Sequence, residues 1–116
     1  MKLYQYPNCS TCRKAIKFLN AAGCDYESIN IVEQTPTKTE LKAMLASYDG
    51  DIRKLFNTSG LQYRELNMKE KLPTMSSIEL IDLLAGNGKL IKRPFLLNAK
   101  NRGVVGFKEA IWQDFV

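Results

Sequence analysis

Hydrophobic spacing changes twice along the chain and divides it into three parts. Lys2-Leu3-Tyr4-Gln5-Tyr6 alternates apolar and polar positions, the pattern of a half-buried strand. From Cys12 onward, Ala15, Ile16, Leu19 and Ala22 recur at helical spacing, which predicts a helix over about 10–22 with Gly23 as its stop. Period two returns over 26–32, where Ile29 and Ile31 are the apolar pair of a second strand. A strand, helix and strand in this order predict a β-α-β unit with parallel pairing.

The middle of the chain, about 37–87, carries only helical signals. Thr37 and Glu40 stand at capping-box spacing before the stripe Leu41, Met44, Leu45 and Tyr48, and Asp49-Gly50 ends that run. A short helix through Ile52, Leu55 and Phe56 follows, then a turn at Asn57-Thr58-Ser59-Gly60. One more helical turn is expected over 63–68, before Pro73. Ser76 and Glu79 repeat the capping box ahead of Ile78, Leu80, Ile81, Leu83 and Leu84, which predict a heavily buried helix ending at Gly86-Asn87-Gly88.

Strand signals resume at Phe95-Leu96-Leu97 and Gly103-Val104-Val105, close enough to form an antiparallel hairpin. A helix over 107–115 closes the chain with Phe107, Ala110, Ile111, Trp112 and Phe115; Trp112 and Phe115 are read as core. The order β-α-β, helices, β-β-α is that of an α/β thioredoxin-type domain with a helical insertion. Residues 1–116 are expected to form one such domain, with the insertion at about 37–87.

Composition narrows the chemistry. There is no histidine, so neither Cys-His catalysis nor a histidine metal ligand is available. The net charge of +5 admits an anionic substrate or an acidic partner without pointing to direct nucleic-acid binding. No run approaches a membrane span, and a cytoplasmic monomer is expected.

Cys9-Ser10-Thr11-Cys12 falls at the junction of the first strand and helix, where a C-x-x-C reads as a redox motif. Free N–H groups and the positive end of the helix dipole favour a thiolate there, and Arg13 and Lys14 add charge. Cys9 is therefore the candidate nucleophile, and Cys12 lies one turn further in, within reach for a small disulfide. A structural zinc site would want four ligands, and only Cys24 could supply a third. Cys24 is read as a small apolar residue.

Taken together, Pro7-x-Cys9-x-x-Cys12-Arg13-Lys14-Ala15, Leu55-Phe56-Asn57-Thr58-Ser59-Gly60, Tyr63-Arg64-Glu65-Leu66, Arg93-Pro94 and Val105-Gly106-Phe107 resemble the arsenate reductase (ArsC) family. The closer likeness is to its two-cysteine branch, which includes Spx-type regulators and reductase-like proteins. The resemblance implies a thioredoxin-like fold, a mixed four-stranded sheet flanked by helices, with Cys9 as nucleophile and Cys12 as resolving thiol. It also implies that Arg93 points to Cys9, that Pro94 follows a cis peptide bond, and that Ser10, Thr11 and Arg13 support the site. No tightly bound cofactor is expected; glutathione, glutaredoxin or thioredoxin would act as reductant. Glutathione-dependent members surround their oxyanion with three arginines, of which only Arg93 is matched here. Asn57 and Gly106 occupy the other two positions, so poor arsenate turnover is expected, with Arg102 and Arg64 as candidate substitutes. The alternative is a redox-sensing regulator whose partner is RNA polymerase.

Overall fold

The computed structural model describes residues 1–116. Four strands form one mixed sheet in the order β2-β1-β3-β4: β1 (Lys2–Gln5), β2 (Glu27–Asn30), β3 (Phe95–Leu97) and β4 (Gly103–Val105). β1 pairs with β2 in parallel, Tyr4 opposite Ile29, and with β3 antiparallel, Leu3 opposite Leu96. β3 and β4 form the expected hairpin, Leu96 opposite Val104. This is the thioredoxin-like arrangement.

Side chains alternate across the sheet, and both faces are covered. Leu3, Leu96 and Val104 pack with Ala15 and Leu19 of α1 (Ser10–Ala21) and with Trp112 of α6 (Glu109–Phe115). Cys24 lies half-buried against the same cluster. Tyr4, Ile29, Phe95 and Leu97 face the larger core built by the central helices. These are α2 (Lys38–Ser47), α3 (Leu61–Glu65), α4 (Met68–Lys71) and α5 (Ser77–Ala85), with a 3-10 turn at Ile52–Leu55.

Local chemistry sets the boundaries. β2 stops at Asn30 because its side-chain oxygen accepts from the N–H groups of Val32 and Glu33, 2.9 and 3.3 Å away, which turns the chain from Ile31 onward. The single helical turn expected over 63–68 is instead two helices, separated where Asn67 takes a left-handed φ of 53°. The last helix starts at Glu109, not at 107, after Gly106 turns with φ 68°. Ile78, expected in the core, is 73% exposed. At 100° per residue it lies roughly 110° from the middle of the arc formed by Leu80, Ile81 and Leu84, and one face of a nine-residue helix cannot bury every apolar residue it carries. No helix is long and apolar enough to cross a membrane.

Both capping boxes are closed. Glu40 does more than cap α2: its carboxylate accepts from the Thr37 N–H (2.9 Å) and from the Tyr4 hydroxyl (2.7 Å), and pairs with Lys2 (3.4 Å). α2 is thereby fastened to β1. At its other end the Ser47 and Tyr48 hydroxyls each accept from a β4 N–H, at Gly103 and Val105, both at 3.0 Å. These bonds cover the open edge of β4, which would otherwise offer free backbone groups to another chain.

Candidate active site

Cys9 is the N-cap residue of α1. Its extended backbone (φ −101°, ψ 112°) turns the chain into the helix, and its sulfur accepts from the Cys12 N–H at 3.3 Å. The Tyr6 carbonyl accepts from the Cys9 N–H at 3.0 Å and closes the loop from below. The sulfur therefore stands where a capping oxygen normally stands, over the free N–H groups of the first turn. α1 has no acidic residue in that turn to compete for them.

Arg93 reaches the same sulfur from the far side. It lies just before β3, joined to Pro94 by a cis peptide bond, and its guanidinium carbon is 5.1 Å from the centre of the Tyr6 ring. This cation–π contact steadies the guanidinium beside the strand end. Its Nε and Nη1 are buried without a hydrogen-bond partner. Buried donors of this kind are costly to leave unpaired, so they mark a place prepared for an acceptor.

The two thiols are pushed apart. Burial works against ionisation of Cys9, but the neighbouring Cys12 thiol, the hydrogen bond from the Cys12 N–H, and then the nearby Arg93 guanidinium outweigh it and lower its pKa below the ordinary thiol value. Burial first, and then the hydrogen bond to Cys9, push the Cys12 thiol up to about 12. Cys12 is fully buried, whereas Cys9 is half-exposed. One sulfur is thus accessible and eased toward ionisation, and the other is a protonated thiol behind it.

Cys9 opens onto a cleft of about 620 Å³. A short two-way pairing builds its opposite wall: the Asn57 N–H donates to the Leu90 carbonyl (2.9 Å) and the Lys92 N–H to the Leu55 carbonyl (2.7 Å), with Phe56 bridging Ile91. This pairing carries the Asn57-Thr58-Ser59 turn to the cleft beside Lys92 and Arg93. Phe107 and Trp112 form an apolar wall, their rings 5.1 Å apart and nearly perpendicular, and the indole N–H donates to the Gly106 carbonyl at 2.9 Å. Trp112 is core, as expected, and stands fully buried behind Phe107 in this wall.

The structure brings Cys9, Thr11 and Arg93 together on this cleft, with buried Cys12 behind Cys9 and buried Pro94 behind Arg93. Ser10 is exposed in the first turn and does not line the cleft. Arg13 does not supply charge to the sulfur as expected; its guanidinium donates to the Pro7 carbonyl at 2.8 Å and braces the loop. Lys14 is exposed, and neither Arg102 nor Arg64 lines the cleft. The cations that do line it besides Arg93 are Arg53, Lys54, Lys92 and Lys108, none of them singled out by the sequence.

Residues 4–115 match the model of the ArsC family. The chain belongs to the ArsC family. It is 50% identical over 114 residues to the uncharacterized protein YusI of Bacillus subtilis (strain 168), covering 98% of this chain and 96% of that one. It is 29% identical over 107 residues to the global transcriptional regulator Spx of Streptococcus pyogenes serotype M3, covering 92% of this chain and 78% of Spx. Among solved structures, an ArsC family related protein from Bacteroides fragilis superposes with a TM-score of 0.91 at 44% identity, over 99% of this chain and 96% of that one.

Proposed function

We propose that this ArsC-family chain is a thiol–disulfide oxidoreductase in which Cys9 is the nucleophile and Cys12 the resolving thiol. The observation that carries this reading is the division of labour at the start of α1: a half-exposed sulfur whose ionisation is favoured by the Cys12 N–H and Arg93, backed by a buried sulfur held as thiol. In the first step the Cys9 thiolate attacks one sulfur of a substrate disulfide, forming a mixed disulfide and expelling the other half as thiolate. Cys12 then attacks the Cys9 sulfur, gives up its proton and releases the second half. The two cysteines end as a disulfide, having passed two electrons to the substrate. An external thiol (glutathione, glutaredoxin or thioredoxin) restores the dithiol.

Arsenate is a poor fit to this reading. A left-handed φ of 68° at Gly106 disfavours any side chain there, and Asn57 brings no charge. Replacing Cys12 by Ser removes the second step, so Cys9 should accumulate as a stable mixed disulfide visible by mass spectrometry. Absence of any Cys9 adduct with a panel of disulfides and thiol partners overturns the assignment.

A second reading follows from the similarity to Spx: the same cysteine pair would serve as a switch, its oxidation altering a surface that contacts RNA polymerase. Pull-down of RNA polymerase by the reduced and oxidised chain decides it, and no binding in either state removes it.

A further inference from the structure

The cleft in front of Cys9 is larger and more one-sided in charge than a compact oxyanion needs. Five of its lining residues are cationic: Arg53, Lys54, Lys92, Arg93 and Lys108. None is acidic, although the chain carries 12 Asp and Glu. At about 620 Å³ the cleft falls within the roughly 300–1,000 Å³ typical of sites for drug-sized ligands, and a tetrahedral oxyanion would occupy one corner of it. The cations are also spread over separate segments. Arg53 and Lys54 come from the 3-10 turn before Phe56, Lys92 and Arg93 from the run into β3, and Lys108 from the N-cap of α6. They converge on the volume around the reactive sulfur and not along one helix face.

Gly106 makes room for this arrangement. A Cβ there would stand 3.2 Å from Cε of Lys92, so the bare glycine leaves the space in which the Lys92 stem lies. The positive charge absent at residue 106 is supplied by Lys92 on a flexible stem. Arginine forks suit a small planar or tetrahedral anion held bidentately, whereas lysines on long stems act as point charges that follow a bulkier one.

Building on the oxidoreductase reading, we propose that the substrate class is a low-molecular-weight disulfide carrying phosphate groups. Its sulfur end would meet Cys9, its phosphates would lie among Lys54, Lys92 and Lys108, and its less polar part against Phe107 and the exposed Ile111. Cys9 thiolate attacks the near sulfur, one phosphate-bearing thiolate leaves, Cys12 closes the internal disulfide and the second phosphate-bearing thiolate leaves. Atoms and the two electrons balance as in the general scheme.

Coenzyme A disulfide and pantethine test this directly, because pantethine is the same disulfide without the nucleotide and its phosphates. Oxidation of reduced protein by each is followed by mass spectrometry, and each rate is divided by that of the same disulfide with 2-mercaptoethanol. At low ionic strength the normalised rate with coenzyme A disulfide should exceed that with pantethine by about tenfold or more, and the advantage should shrink to about threefold or less in 0.5 M NaCl as the charges are screened. Glutathione disulfide, with carboxylates only, should fall between the two. The combined K54Q, K92Q and K108Q variant should lose most of the preference. Equal normalised rates for coenzyme A disulfide and pantethine overturn the inference and leave the oxidoreductase reading standing, as does glutathione disulfide matching coenzyme A disulfide. Failure of Cys9 to react with all three overturns the oxidoreductase reading itself. The salt series on the unaltered chain decides the matter even where the triple variant folds poorly.

Discussion

Three helices in this molecule begin with a side chain accepting from the N–H three residues on, and two of them differ from the third in purpose. α2 and α5 start with Thr37 and Ser76, each answered by a glutamate that reaches back to the N-cap N–H. α1 starts with Cys9, answered by no carboxylate. In the first two, oxygen takes up the free donors and the return is stability. In the third, the same donors fall on sulfur, a poorer acceptor, and the return is a lowered thiol pKa. A carboxylate in the first turn of α1 would improve the helix and oppose the thiolate. Its absence is what separates a reactive helix start from a structural one.

The sharpest way to break this comparison is to make α1 resemble the other two. Cys9→Ser supplies a favoured capping oxygen, so folding stability should stay within about 1 kcal/mol of the parent. All disulfide-exchange activity should vanish with it. A large loss of stability on denaturant titration would show that the sulfur is needed for the fold, and the contrast would fail. A smaller effect is expected at Arg93. Arg93→Met removes the positive charge beside Cys9, so the midpoint of iodoacetamide reactivity against pH should move upward, and the rate near neutral pH should fall roughly tenfold. An unchanged profile would leave the helix start alone responsible for the thiolate.

The same division explains what could be read from the sequence. Capping boxes, the β-α-β unit and the hairpin were legible because each depends on residues within a few positions of one another. The candidate nucleophile could be placed in the same way, since strand end, C-x-x-C and helix start are contiguous. Arg93 was reached through family likeness, because nothing near it in sequence says that it meets Tyr6 and Cys9. The cationic lining was not legible at all. Lys54 and Lys108 are 54 residues apart by number and share the cleft only because the 55–57 segment pairs with 90–92 and the β4–α6 connection folds back over it. Arg13 shows the opposite error: adjacency to Cys12 implied a charge for the sulfur, whereas its nearest acceptor is the Pro7 carbonyl.

The smallest expected effect tests the structural side of the comparison. Glu40 is partly buried, which opposes its ionisation, but the Thr37 N–H, the Tyr4 hydroxyl and Lys2 together hold its carboxyl below the usual value. Its folded pKa is thus lower than its unfolded one, so the stabilisation is complete above the unfolded value of about 4.3 and is lost as pH falls through the folded value. Glu40→Ala opens the capping box and leaves the Tyr4 hydroxyl without its acceptor, a combined cost of about 2 kcal/mol at neutral pH. Between pH 7 and the acid range the parent should lose more stability than Glu40→Ala, so the gap between them narrows on acidification. Cys9 reactivity should be the same in both, since Glu40 serves the fastening of α2 to β1 and lies outside the cleft. A Glu40→Ala profile displaced along the pH axis would mean that the structural cap of α2 and the chemical cap of α1 are coupled through β1, and the separation drawn between them would have to be given up.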